Sequence, residues 1–330
     1  MPFSLKEIAR LAGVSKTTVS MVVNGRGEHY RISADTQQRV LKLVEEHGYA
    51  PNAQARSLRL RRTHTLGLVV PDLLNRFFAE FAQAFDSQAR DQGYQVFLTA
   101  TRDDLQTEVE VLQTLLSRNV DGLVIASVDS GGRWKPSAKY LEVPRVYIDR
   151  VVNRPEASWV VSDDYTGTLK LVEELCRRGC QEVFYFGGES RITTSQHRLA
   201  GFRDALKAHG VRFVRQQVLE WGYGESDGFS MAQEVHSLLQ RPPEAVFVGA
   251  FTLFEGVLRF MREQAPEWLE QTHFATFDDH PILDYLPSGV PSIRQNAQEM
   301  ASQALKMLLQ QISGNRDIQQ VRIPTQLCLR

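Results

Sequence analysis

From residue 63 to the end, short unbroken apolar runs alternate with longer stretches of helical period, and few folds accept that alternation. The runs at 66–70, 96–98 and 123–126 are too short for helices and lack the apolar–polar alternation of a strand with one wet face. Strands buried on both faces of a parallel sheet have this pattern. Between them, helical patterns at 77–92 and 105–118 are the crossovers that a parallel sheet requires, right-handed as nearly all are. The same alternation resumes in RVYID, EVFYFGG, AVFVGA and HFATFDD. It predicts an α/β body over 63–330 made of two doubly wound lobes, roughly 63–162 with 292–320, and 163–291 with the C-terminal strand.

Ligands of such sheets bind beyond the carboxyl ends of the strands, and the ends of two lobes can face one cleft. Polar residues recur at those ends: Asp72 and Asn75, Ser127, Asp149 and Arg150, then Asp278 and Asp279. Singly each fits a solvated loop; their recurrence at one end favours a site. Carboxylates accept hydrogen bonds from vicinal hydroxyls, and a guanidinium clamps a ring oxygen or a phosphate. Phe77 and Phe78 offer an aromatic face to the C–H surface of a sugar, although aromatics at a helix start are equally suited to a core.

The first sixty residues are of another kind. SLKEIARLAGVSKTTVSMVVNG reads as two short helices with a tight break. Ser4 and Glu7 have capping-box spacing; Leu5, Ile8, Ala9 and Ala12 share a face; Gly13 supplies the stop. Ser15 is the N-cap of the second helix, whose Val19, Val22 and Val23 lie on one side. Lys16, Thr17, Ser20 and Met21 then face outward. A small polar helix start enters a major groove, where Lys donates to guanine and Thr or Met touches base edges and thymine methyls. A third helix begins at Ser33, with Val40, Leu41, Val44 and Tyr49 available to close a miniature core. The intervening loop offers Arg26, His29, Tyr30 and Arg31 to phosphates or to solvent. From Asn52 to Leu58 one or two helical turns are expected, too short to be stable alone. The division expected is a helix-turn-helix unit at 1–50, a hinge at 51–62 and the body at 63–330.

Charge follows the same division. Residues 1–62 hold eleven Lys and Arg against five Asp and Glu, a net +6, and the remainder carries 27 against 34, a net −7. A basic head on an acidic body is the footprint of a polyanion-binding module. With 42% hydrophobic and 23% charged residues the chain is that of a globular protein, which leaves little room for disorder. MPFSLKEIAR has no apolar run of signal length and no later stretch has spanning length, so a cytoplasmic location and no membrane partner are expected. Cys176, Cys180 and Cys328 form no CxxC pair and no zinc spacing, and are expected as reduced structural thiols without a metal. No Gly-rich phosphate loop or nucleophile elbow is present, so neither a cofactor nor an enzyme is expected.

AGVSKTTVSMVVNG followed by GYAPNAQARSL resembles the DNA-binding headpiece of the lactose-repressor (LacI/GalR) family of transcription regulators. The resemblance implies that Ser15, Lys16, Thr17, Thr18, Ser20, Met21, Asn24, Arg26, Tyr30, Arg31, Asn52 and Arg56 contact double-stranded operator DNA. It also implies a hinge that folds on the operator and wedges Leu58 into the minor groove. Met21 stands where the family frequently has arginine, so the operator sequence does not transfer from better-known members.

The body resembles the family's periplasmic-binding-protein-like domain. ITTSQHRLAGF resembles its effector-binding stretch, implying Thr194 and Arg198; DGLVIAS, YIDR, FDDHP and SIRQN match strand-end motifs, implying Ser127, Asp149, Arg150, Asp278 and Gln295. Ala250 and Phe251 replace an Asn-Asp pair common in the family, which argues against a purine or plain pentose ligand. Within the family, NGRGEHYRIS, RTHTLG and FATFDDHPILDYL are most similar to sucrose-operon repressors and next to fructose-responsive catabolite regulators, relatives that respond to fructose or fructose 1-phosphate. The resemblance therefore implies a repressor of sucrose or fructose utilisation genes, released by a small sugar or sugar phosphate. A global regulator of carbon metabolism, or a regulator for another sugar, is the alternative. A homodimer is expected because two heads read two half-sites, and no leucine heptads follow VRIPTQLCLR.

Overall fold

The structure is a computed structural model and describes residues 3–48, 62–129, 133–150 and 156–330. It divides into two compact units, Met1–Thr63 and His64–Arg330.

In the smaller unit three helices, Leu5–Ala12, Lys16–Val23 and Ala34–Glu46, close on Ile8, Ala9, Ala12, Val19, Val22 and Val40. The capping box forms as its spacing requires: Ser4 Oγ accepts the Glu7 N–H, and Glu7 accepts the Ser4 N–H at 2.7 Å. Gly13 stands at φ +68°, a left-handed turn in which a side chain would be strained. Leu41 does not join the core; it is 50% exposed, because Val40, Leu43 and Val44 fill the buried stripe of its helix. Tyr49, Asn52, Arg56 and Leu58 lie outside the described residues.

The larger unit holds two six-stranded sheets with helices on both faces. The first contains β1 (Thr65–Val70), β2 (Gln95–Ala100), β3 (Gly122–Ile125), β4 (Arg145–Ile148), β5 (Trp159–Ser162) and β11 (Gln320–Ile323), in the order β2-β1-β3-β4-β5-β11, all parallel. The second contains β6 (Val183–Gly187), β7 (Val218–Glu220), β8 (Ala245–Val248), β9 (His273–Phe277), β10 (Ser292–Arg294) and β12 (Gln326–Cys328), in the order β7-β6-β8-β9-β10-β12. Only β12 in it is antiparallel. The two lobes thus repeat one strand order. In each, the chain reverses direction across the sheet beside the first strand, at β1/β3 and β6/β8. Loops leaving a reversal point diverge and open a crevice.

Two expectations are corrected. The run 96–98 is not buried on both faces: β2 is an edge strand bonded only to β1, and Phe97 and Leu98 are 39% and 40% exposed. The first lobe is not regained at 292 either. β10 pairs with β9 in the second sheet, and the chain crosses back only at the helix Ala297–Ile312. That helix packs Met300, Ala304 and Leu308 against the helix Arg76–Asp91 and the first sheet. The first lobe then ends with β11 at Ile323, beyond the expected 320.

Candidate functional site

The carboxyl ends of both sheets line one cavity of about 620 Å³. The first lobe contributes Asp72, Phe77, Phe78, Asp149 and Arg150, and the second Thr194, Arg198 and Asp278, with Gln295 at a crossing between them. Of these nine, the strand-end pattern suggests Asp72, Asp149, Arg150 and Asp278, and the family resemblance Thr194, Arg198 and Gln295.

Local backbone aims the carboxylates. Asp149 after β4 and Asp278 after β9 stand at φ +61° and +70°, left-handed conformations that Asp tolerates better than most residues. Burial pushes the Asp149 carboxyl up to about 6, against the pull of Arg150, and raises Asp278 as well. Asp278 accepts a hydrogen bond from Gln295 Nε2 at 2.7 Å, and Gln295 Oε1 accepts one from Ser162 Oγ at 2.5 Å. Ser162 ends β5 and Gln295 follows β10, so this buried chain ties two crossing segments together beneath the cleft.

The two buried arginines differ in their partners. Arg198 is held by Asp164 at 2.7 and 2.8 Å, by the Gly249 carbonyl at 2.5 Å and by the Phe277 ring 3.7 Å below its guanidinium. Its partner is itself buried, with a pKa raised by burial, so the pair is a fixed element of the wall. Arg150 is paired through Nη1 with Asp103, and its buried Nε lies 3.7 Å from Asp149 with no hydrogen-bond partner among the described residues.

Ser127 is not brought to the cavity. Its hydroxyl donates to buried Glu108 at 2.7 Å, and Glu108 also accepts the Val128 N–H at 2.7 Å; the carboxylate thereby fixes the loop that presents Val128 to the cleft. Asp279 is likewise turned away, toward Ser292, Arg294 and Arg330, whose hydrogen bonds outweigh burial and take it down to about 2. Asp72 is half-buried in the cleft wall and accepts the Leu74 N–H at 2.9 Å. Phe77 and Phe78, edge-to-face at 5.1 Å, belong to the first-lobe core and also line the cleft. Ala250 precedes the helix Phe251–Gln264 without a side-chain cap, and Phe251 stacks on His280 at 4.3 Å.

Sequence reasoning missed Arg102, Asp103, Arg191, Tyr223 and Asp227 on the cleft wall, and Asp164 behind it. Arg102 and Asp103 follow β2, so the strand-end rule already applied to four other strands had the signal for them. Tyr223 follows β7, a strand of three residues with too little pattern to read; its hydroxyl meets Ser195 Oγ at 2.8 Å.

In the small unit the helix Lys16–Val23 presents Lys16 and Thr17 to solvent at its start. Ser15 Oγ accepts the Thr18 N–H at 3.0 Å and pairs with its hydroxyl at 2.9 Å, so both are engaged in the cap. Ser20 and Met21 are half-buried, and Asn24 closes the helix with its amide on the Ser20 carbonyl at 2.5 Å. Arg26, Tyr30 and Arg31 lie exposed on the following loop, Arg31 at φ +54°. Among the described residues no helix is long and apolar enough to cross a membrane.

With this geometry in place, comparison with known proteins finds two family models. Residues 4–52 match that of bacterial regulatory proteins of the lacI family, and residues 63–330 that of periplasmic binding proteins and the sugar binding domain of the LacI family. The chain is 36% identical to a sucrose operon repressor of Klebsiella pneumoniae over 94% of its own length and 92% of that protein's. It is 33% identical to a fructose operon regulatory protein of Vibrio cholerae over 99% of both chains. Among solved structures, the Cra transcriptional dual regulator from Pseudomonas putida in complex with fructose 1-phosphate superposes with a TM-score of 0.73 at 24% identity, covering 81% of this chain and 98% of that one.

Proposed function

Because the chain belongs to the LacI family of bacterial regulatory proteins, we propose that it represses sugar-utilisation genes from a specific operator and is released by fructose or fructose 1-phosphate. It is a regulator and not an enzyme. The observation that carries the ligand reading is one cleft whose buried polar groups come from both lobes: Asp149 and Arg150 from the first, Thr194, Arg198 and Asp278 from the second. A polyol held there bonds to both lobes, so its binding energy favours one angle between them. The likeness to sucrose and fructose operon regulators supports the choice of sugar.

On DNA, Lys16, Thr17 and Met21 read base edges in the major groove, and Arg26, Tyr30 and Arg31 hold phosphates. In a homodimer in the cytoplasm two such units read two half-sites, and the 51–62 segment, with Leu58 as its wedge, carries lobe rotation to them. Linkage then requires ligand and operator to weaken each other equally, commonly by 1–3 kcal/mol. A second reading, a broader regulator of carbon metabolism using the same cleft, is favoured by the likeness to the dual regulator that binds fructose 1-phosphate.

The test is calorimetry and operator binding on the parent, Asp149→Asn and Thr194→Val, with Arg198 left intact because its loss would strand Asp164. Both variants should keep operator binding and lose fructose binding and release. Failure of fructose and of fructose 1-phosphate to bind the parent would reject this effector.

A further inference from the structure

Of the two buried guanidiniums that the described residues bring to the cleft, Arg150 is the one whose partner can leave. Asp164 beside Arg198 is buried and would have to cross the protein interior uncompensated. Asp103 beside Arg150 is different: its side chain is 45% exposed while that of Arg150 is 6% exposed. Releasing Asp103 returns a carboxylate to water, where its charge is stable.

The chain around Asp103 supports an exchangeable role. Arg102 and Asp103 are consecutive left-handed residues, at φ +55° and +57°, and neither is glycine. Such a pair persists only where its surroundings hold it. The turn is held by its backbone, Arg102 N–H to Pro71 O at 2.7 Å and Asp104 N–H to Thr101 O at 3.1 Å, while Asp104 caps the next helix. Among the described residues Asp103's carboxylate is paired with Arg150 alone, and the turn does not need it. On the other side Arg150 Nε is buried, has no hydrogen-bond partner among the described residues, and stands 3.7 Å from Asp149 in the residue's cleft-lining position. Asp103 reaches Nη1, whereas a phosphate has three acceptor oxygens and can span the guanidinium fork.

We propose that Asp103 is a specificity-determining residue: its carboxylate occupies the place at Arg150 that the anionic group of a phosphorylated ligand takes, so that such a ligand must displace it and an uncharged sugar need not. This rests on the reading of the cleft as a sugar site. It makes the choice between free and phosphorylated sugar a competition between two anions for one guanidinium, set by a residue of the loop that follows β2.

Titration of the full chain with fructose, fructose 1-phosphate and inorganic phosphate separates the two ideas. Asp103→Asn removes the charge and tolerates the left-handed backbone; Asp103→Gly removes the side chain and relaxes the turn. Both should bind fructose 1-phosphate and inorganic phosphate about tenfold more tightly than the parent, the size of coupling common between contacting charges, with fructose affinity unchanged within about twofold. Equal changes for free and phosphorylated sugar would overturn the proposal. Should neither sugar bind the parent, the sugar reading fails, and inorganic phosphate still decides the role of Asp103: unchanged phosphate affinity in both variants overturns it.

Discussion

Replacing Asp149 by Asn should make the protein more stable at neutral pH while removing its ligand response. Asp149 is 8% exposed, and burial holds its carboxyl at about 6 against an ordinary value of 3.8. The folded protein therefore keeps a proton that the unfolded chain releases near pH 3.8. Between that pH and about 6 the native state binds more protons, so rising pH lowers stability; above 6 the loss is complete. A shift of about two units corresponds to about 3 kcal/mol. Asparagine has the neutral shape without that charge. Denaturant unfolding of parent and variant, read as a difference, cancels most of the like-signed contributions of Asp164, Asp278 and Glu108, which burial also raises, leaving the coupling of Asp164 and Asp278 to Asp149 within the difference. The difference should be near zero at pH 4 and grow to about 3 kcal/mol in favour of Asn at pH 7. A variant less stable than the parent at pH 7, or a difference flat across that range, would refute the reasoning. Sugar hydroxyls donate to the ionised carboxylate, so parent affinity should fall about tenfold per pH unit below 6.

Two further outcomes follow from packing and from the exposed helix start. A Cβ on Gly256 would lie 1.9 Å from the Glu225 carbonyl, where the helices Glu225–Leu239 and Phe251–Gln264 meet backbone to backbone, so Gly256→Ala should cost several kcal/mol and lower the unfolding midpoint sharply. Lys16→Ala and Met21→Ala should each change operator preference by about 1–3 kcal/mol without altering folding, read by competition between operator variants at fixed salt; a loss equal on all sequences would place both side chains at the phosphates.

What the sequence allowed to be read is what period and burial decide together. The apolar runs of β1 and β3 and the helices Arg76–Asp91 and Leu105–Ser117 stand where their patterns put them, because a strand between two helical layers has no polar face to blur the signal. Edge position is invisible to that logic, which is why β2 was misjudged: its apolar residues look central, and only pairing with β1 alone reveals otherwise. At the site, strand ends located Asp149, Asp278 and Arg150, but not which neighbours each side chain takes. Ser127 answers to Glu108, nineteen residues earlier on a helix, and Asp103 reaches Arg150 across forty-seven residues. Such pairings depend on the loop dihedrals, which a single sequence does not print.

The three passages of the chain between the lobes bear on how the molecule is made. The first lobe takes five of its strands from residues 65–162, yet its sixth strand and the helix that covers one face come from 297–323. A growing chain that has emerged only as far as β5 therefore holds an open sheet edge and an uncovered apolar face, and it must hold them while the whole second lobe is synthesised. At about 5–20 residues per second, that wait spans roughly ten to thirty seconds. Contacts between residues so distant in sequence form late, which slows the closing of this lobe. During that interval the edge of β5 and the uncovered apolar face are open to pairing with other chains.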